Sequence, residues 1–132
     1  PERKERINLL ISKFELEAVQ DTRAGQLSGG QKKKLVIALS LLGNPKIILM
    51  DEPFAALDVM TINILQQIIV NLQSENNISI ILCDHQARDL LSCVDTAIVI
   101  SNCKVIAKGT PTELVNNIDA KNAYFGNSFK IN

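Results

Sequence analysis

Apolar residues fall at helical spacing at Ile7, Leu10, Ile11 and Phe14, which predicts an amphipathic helix over about Lys4 to Phe14. The pattern stops at Ala24-Gly25-Gln26-Leu27-Ser28-Gly29-Gly30, a stretch that reads as a loop. It resumes from Gln31 to Leu42 as a second helix, with Lys32, Lys33 and Lys34 on its first turn. Gly43-Asn44-Pro45 ends that helix, as a Gly cap followed by Pro. Ile47-Ile48-Leu49-Met50 is a short, continuous apolar run and predicts a strand buried on both faces, of the parallel-sheet kind. Ile62, Leu65, Ile68, Ile69 and Leu72 mark a third helix, which ends at the turn Glu75-Asn76-Asn77. Ile78 to Cys83 reads as a second strand, Ala87 to Leu91 as a short helix and Thr96 to Ile100 as a third strand. Ser101-Asn102 turns into Lys104-Val105-Ile106-Ala107, a hairpin at the sheet edge. Thr110-Pro111-Thr112-Glu113 is a helix start, with Thr as N-cap, Pro at the first helical position and Glu three residues after the cap. The segment after Tyr124 is weakly patterned.

Helices alternating with buried strands predict an α/β domain with a mainly parallel sheet and flanking helices. The 132 residues are one domain's length, enough to bury roughly two thirds of the unfolded chain's surface. The hydrophobic fraction of 46% and charged fraction of 21% argue against disorder, and aromatics at 4% make the core aliphatic. Fourteen basic and fourteen acidic residues cancel, so there is no bulk pull toward nucleic acid or acidic lipid, and no nucleic-acid partner is expected. The N-terminus reads Pro1-Glu2-Arg3-Lys4-Glu5-Arg6, which is no signal peptide. Cys83, Cys93 and Cys103 are odd in number and widely spaced, which argues against a disulfide framework or zinc site and suggests small buried apolar residues in a reducing compartment.

Two predicted strands end in charge, at Asp51-Glu52 and at Asp84-His85. Ligands of parallel sheets sit beyond the carboxyl ends of the strands. A carboxylate there can hold Mg²⁺, directly or through water, and a neighbouring one can polarise an attacking water. Asp51 and Glu52 fit those roles; for an isolated pair a solvated acidic turn is the favoured reading, and the four apolar residues directly before this one make the two readings even. His85, the only histidine, can donate to a phosphate oxygen and orient a water. Leu27-Ser28-Gly29-Gly30-Gln31 puts two glycines and a hydroxyl before a helix N-terminus, a ready anion site. A flexible loop capping a helix would read the same way. Lys32, Lys33 and Lys34 read as a solvated helix face, and Asp58 as the cap of the helix that follows it.

The order of these elements carries more than each alone. Leu27-Ser28-Gly29-Gly30-Gln31, a helix, Ile47-Ile48-Leu49-Met50-Asp51-Glu52-Pro53, Ala56-Leu57-Asp58, and His85 after a further strand together resemble the nucleotide-binding domain of an ABC-type ATPase, a P-loop NTPase fold. The resemblance runs from about Ile7 to the C-terminus. It implies that Ser28, Gly29, Gly30 and Gln31 form the signature loop, whose Ser28, Gly29 and Gly30 contact the γ-phosphate of ATP held by the opposite subunit. It implies that Asp51 serves Mg²⁺, Glu52 is the general base, Ala56-Leu57-Asp58 runs along the dimer interface and His85 reaches the γ-phosphate. Asp84-His85-Gln86-Ala87-Arg88-Asp89-Leu90 and Tyr124-Phe125-Gly126-Asn127-Ser128-Phe129 are similar to stretches of the ATPases that power lipopolysaccharide export. Branched-chain amino-acid uptake ATPases are the nearest alternative.

The resemblance further implies ATP and Mg²⁺ as ligands, a homodimer of ATPase subunits, two transmembrane permease subunits, and a place on the cytoplasmic face of the inner membrane. The phosphate cradle G-x-x-x-x-G-K-[ST] is missing, since no Gly here is followed by Lys. Leu39 stands where the family usually carries Arg, and Val59 where Pro usually follows the interface loop. The chain therefore reads as a later, incomplete portion of the domain, with residues 1–44 as part of the helical subdomain plus signature helix and 45–132 as the second half of the catalytic core and tail. Opening on Pro1 fits such a fragment. By itself it is expected neither to bind ATP tightly nor to turn it over, and to leave apolar strand edges open. A truncated, non-catalytic remnant is the alternative outside enzymes. ABC-type ATPases of chromosome maintenance or translation need a coiled coil, tandem domain or basic surface that this chain lacks.

Overall fold

The computed structural model describes residues 2–126. Helix α1 spans Glu2–Lys13 and helix α2 Gly29–Leu41, separated by two short 3-10 turns. Strand β1 (Ile47–Asp51) leads through a loop to helix α3 (Val59–Asn76), strand β2 (Ser79–Cys83) and the short helix α4 (Ala87–Leu91). Strands β3 (Ala97–Ser101) and β4 (Lys104–Gly109), helix α5 (Pro111–Asn116), helix α6 (Ile118–Ala120) and a π-helical turn at Lys121–Phe125 complete the described chain. No helix among the described residues is long and apolar enough to cross a membrane.

β1 and β2 pair in parallel, from Ile47 opposite Ser79 to Asp51 opposite Cys83. β3 and β4 pair antiparallel, as the hairpin pattern predicts, but among the described residues they form a separate two-stranded sheet and not the edge of the parallel one. The hairpin turn is shifted by one residue from the predicted Ser101-Asn102: Asn102 and Cys103 both have positive φ and link Ser101 to Lys104. That is the two-residue loop whose twist suits a hairpin.

The main core gathers α1, α2, α3 and β1 around Phe14, Phe54, Leu65 and Leu72, all fully buried. Ile62, Leu65, Ile69 and Leu72 supply the inner stripe of α3, at the spacing that one helix face requires. A smaller cluster of Leu91, Val99, Ala107, Leu114 and Ala120 holds the hairpin to α4, α5 and α6.

Four expectations are corrected. β1 is buried on one face only: Ile48 is 7% exposed, whereas Leu49 is 74% exposed and Ile47 is also open. Helices α2 and α3 cover one side of the sheet and nothing described covers the other. Gly29 and Gly30 are the first turn of α2 and not loop, because Ser28 caps the helix ahead of them. The left-handed residue after α2 is Asn44 (φ 52°) and not Gly43, and its amide donates to the Leu41 carbonyl. Cys83 and Cys103 are exposed, at the end of β2 and in the hairpin turn. Only Cys93 approaches the buried reading, and burial, helped by Asp89, pushes its thiol up to about 11.

Candidate functional site

The carboxyl ends of β1 and β2 lie side by side, since Asp51 is the register partner of Cys83. Adjacent parallel strands therefore deliver Asp51-Glu52 and Asp84-His85 to one edge. There His85 Nδ1 stands 3.3 Å from Glu52 Oε1, with both side chains more than half exposed. The two residues singled out for catalysis are thus in contact, 33 positions apart in the chain.

Glu52 is held by its backbone. Its amide donates to the Cys83 carbonyl at 2.7 Å, and its own carbonyl accepts from Lys33 Nζ at 2.7 Å and from the Ala55 amide at 3.3 Å. Its φ of 46° lies in the left-handed region. A non-glycine residue there costs on the order of 1–3 kcal/mol, a strain that concentrates at functional sites. The bonds on both sides of Glu52 hold this conformation and leave the carboxylate to face His85.

Asp84 is the residue that sequence reasoning left without a role. Its side chain is fully buried; one oxygen accepts from the Phe54 amide at 3.1 Å and the other from the Gln86 amide at 2.8 Å. It therefore joins the loop after β1 to the loop after β2 and fixes His85 between them. The only signal in the sequence is its place directly before His85 at a strand end. Lys33 was read as solvated surface, yet it reaches from α2 to the Glu52 carbonyl, and its neighbour Lys34 pairs with Glu15 at 3.1 Å. From the other side Tyr124 donates its hydroxyl to the His85 carbonyl at 2.8 Å, and burial, then Asp84, raises the Tyr124 pKa.

Replacing Asp84 by Ala would leave two amides without an acceptor. The expected loss is about 1–3 kcal/mol for each, whereas His85→Ala, at an exposed side chain, is expected to stay within about 0.5 kcal/mol. Urea denaturation of the two variants checks the order.

Asp51 is exposed at the end of β1. No group of three or more His, Cys, Asp or Glu side chains suited to a metal occurs among the described residues. The donor set still fits Mg²⁺, which takes one or two carboxylates and completes its octahedron with water and phosphate oxygens.

Ser28, Gly29, Gly30 and Gln31 form a capping box. The Ser28 hydroxyl accepts from the Gln31 amide at 3.2 Å, and the Gln31 side chain accepts from the Ser28 amide at 2.9 Å. Gly30 has a packing reason of its own: a Cβ there would come within 2.6 Å of the Thr61 side chain on α3. This close approach sets the signature-like turn beside Leu57, Asp58 and Thr61. Asp58 caps α3 as predicted, accepting from the Thr61 amide at 3.1 Å, and its bonds to Thr61 hold its pKa below the usual carboxylate value. Ser28→Ala is expected to cost about 1 kcal/mol through the lost cap, read as a lowered thermal midpoint. Glu52 and His85 thus meet at the strand ends, and Asp51 precedes Glu52 as the last residue of β1. Ser28 to Gln31 and Asp58 form a neighbouring cluster, where α2 and α3 begin. Of the tail resemblance, Asn127, Ser128 and Phe129 lie outside the described residues.

The chain is similar in sequence and in fold to several known proteins. The sequence pattern of the ABC transporter family matches residues 2–55. The chain is 35% identical over 130 residues to the lipopolysaccharide export system ATP-binding protein LptB of Escherichia coli K12, covering 98% of this chain and 54% of that protein. It is 34% identical over the same length to LptB of Haemophilus influenzae. Among solved structures, the ADP conformation of MJ1267, an ATP-binding cassette of an ABC transporter, superposes with a TM-score of 0.85 at 27% identity over 96% of this chain and 51% of that one. CbiO1 from Clostridium perfringens, part of the ABC transporter complex cbiONQ, does so with 0.80 at 30% identity, over 92% and 49%. The chain spans about half the length of these relatives. In sequence and in fold the chain is similar to the ATP-binding cassettes of ABC transporters, about half of whose length it spans.

Proposed function

We propose that this chain is part of an ATP-hydrolysing subunit that energises an ABC transporter, and that the transporter exports lipopolysaccharide. The observation that carries the enzymatic reading is the contact between Glu52 and His85 at the carboxyl edge of β1 and β2. Two proton-accepting groups at that edge suit the orientation of a water for attack on a phosphoryl group. The likeness to LptB of two bacteria supports the choice of cargo.

In this reading Glu52 accepts the proton of the attacking water, and His85 orients that water and donates to the γ-phosphate. Asp51 holds Mg²⁺, which would neutralise charge on the phosphates when bound. The Ser28 hydroxyl accepts within its cap, which keeps its own proton available for a phosphate oxygen. With Gly29, Gly30 and Gln31 at the positive end of α2, it faces the nucleotide of an opposing subunit. Asp58 lies on that dimer interface. Residues 1–44 act as part of the helical subdomain with the signature helix, and 45–132 as the later catalytic core and tail. The assembled subunits dock on two permease subunits at the cytoplasmic face of the inner membrane.

The test is a single-chain chimera in which this chain replaces the matched segment of E. coli LptB. Phosphate release from Mg-ATP is expected from the chimera. The 132-residue chain alone is expected to show neither release nor micromolar ATP binding by calorimetry. An inactive chimera that is folded and dimeric would overturn the catalytic reading.

A further inference from the structure

The peptide unit between His85 and Gln86 is held at both ends by side chains. Its N–H donates to Asp84 Oδ1 at 2.8 Å, and its C=O accepts from the Tyr124 hydroxyl at 2.8 Å. The Ala87 amide also reaches that carbonyl, at 3.0 Å, but it lies two residues on and moves with the same loop. Asp84 is tied in turn to the loop after β1, through the Phe54 amide. Tyr124 comes from 39 positions away. It stands in the π-helical turn Lys121–Phe125, which the Gly126 amide closes on the Lys121 carbonyl at 2.7 Å. Such turns are rare and occur mostly where function demands them. Phe125 packs against the smaller core, with Leu114 and Ala120, and meets the Tyr124 ring edge-on at 5.6 Å. The turn is thus anchored, and Tyr124 reaches from it to the His85 carbonyl. Burial, then Asp84, raises the phenol pKa, so the hydroxyl keeps the proton it donates.

We propose that Tyr124 is a positioning residue of the hydrolytic reaction: it clamps the His85–Gln86 peptide against Asp84 and so aims the His85 imidazole at Glu52. The proposal rests on the catalytic reading of Glu52 and His85 given above. The imidazole is 66% exposed, so packing does little to orient it. Its direction is set by the backbone it hangs from, and this peptide plane defines the ψ torsion of His85. With both ends of the plane bonded, that torsion is fixed. Two hydrogen bonds on one peptide also polarise each other, which strengthens both. A reacting group misplaced by about 1 Å can cost about 10²-fold in rate. Tyr124 bonds the main chain of His85 and not its ring, so its effect on the chemistry runs through His85.

Tyr124→Phe removes the donor and keeps the ring. In the single-chain chimera it is expected to lower kcat for ATP hydrolysis about three- to tenfold, the effect of one hydrogen bond. KM for ATP should stay within about twofold, because no group that binds nucleotide is removed. In a His85→Ala chimera the same substitution should change kcat by less than about twofold, since the group it orients is gone. A second readout needs no catalysis. His85 is the chain's only histidine, so nitrogen NMR of the 132-residue chain reads that ring alone, at about pH 9, where an ordinary imidazole is neutral. The proton should sit on Nδ1, which faces Glu52, because the hydrogen bond at one nitrogen sets the tautomer. Tyr124→Phe should lower the Nδ1–H fraction at least about twofold while circular dichroism stays unchanged. An unchanged Nδ1–H fraction would overturn the proposal. So would the parent kcat in an active chimera, or an equal fall with and without His85. An inactive chimera whose Nδ1–H fraction still answers to Tyr124 sinks the catalytic reading and not the clamp.

Discussion

Glu52→Gln in the single-chain chimera is expected to lower kcat for ATP hydrolysis by about 10²–10⁴-fold, the usual contribution of a positioned general base. Glutamine keeps the size and shape of the side chain and removes its capacity to take a proton. The substitution reads chemistry and not folding, because the main chain holds Glu52 in place. Its amide bonds Cys83, its carbonyl bonds Lys33 and Ala55, and none of these uses the carboxylate. The side chain is more than half exposed, so no buried acceptor is lost. ATP affinity should therefore stay within about twofold, less than half a kcal/mol. Single-turnover and equilibrium nucleotide binding measured on the same preparation separate the two effects. Multiple turnover at the parent rate would remove Glu52 from the mechanism.

Phe54→Ala is expected to destabilise the chain by about 3–5 kcal/mol, the range for emptying an aromatic site in a core. Domains of this size are held by only about 5–15 kcal/mol in total, so the variant should be partly or wholly unfolded at physiological temperature. Phe54 is fully buried in the main core, two residues past Glu52. Its amide also donates to Asp84 Oδ2. The ring thus anchors the loop after β1 in the α1–α2–α3 core, and the amide ties that loop to the one that carries His85. Urea denaturation with Phe54→Leu as the milder partner checks both the size and the cause. A loss under about 1 kcal/mol for Ala would mean that the site collapses without leaving a cavity.

Periodicity and capping chemistry determined which elements form. The α1 pattern at Ile7, Leu10, Ile11 and Phe14, the α3 stripe, and the Asp58 and Thr110 caps were readable because each is a local rule satisfied within a few residues. The pairing of two strand ends rich in charge was readable too, because parallel strands present their carboxyl ends on one edge. Tertiary structure alone decided the rest. The role of Asp84 depends on Phe54, thirty positions away, and that of Lys33 depends on where α2 crosses the Glu52 loop. Gly30 looked like a concession to a ligand, yet its own closest demand is the approach of Thr61. An apolar run such as Ile47 to Met50 records how buried a strand is meant to be and says nothing about which element does the covering. Here α2 and α3 cover one face while Ile47 and Leu49 stand open on the other. Side-chain pattern is a property of the segment, whereas burial and pairing are properties of its neighbours, and only the folded chain specifies those.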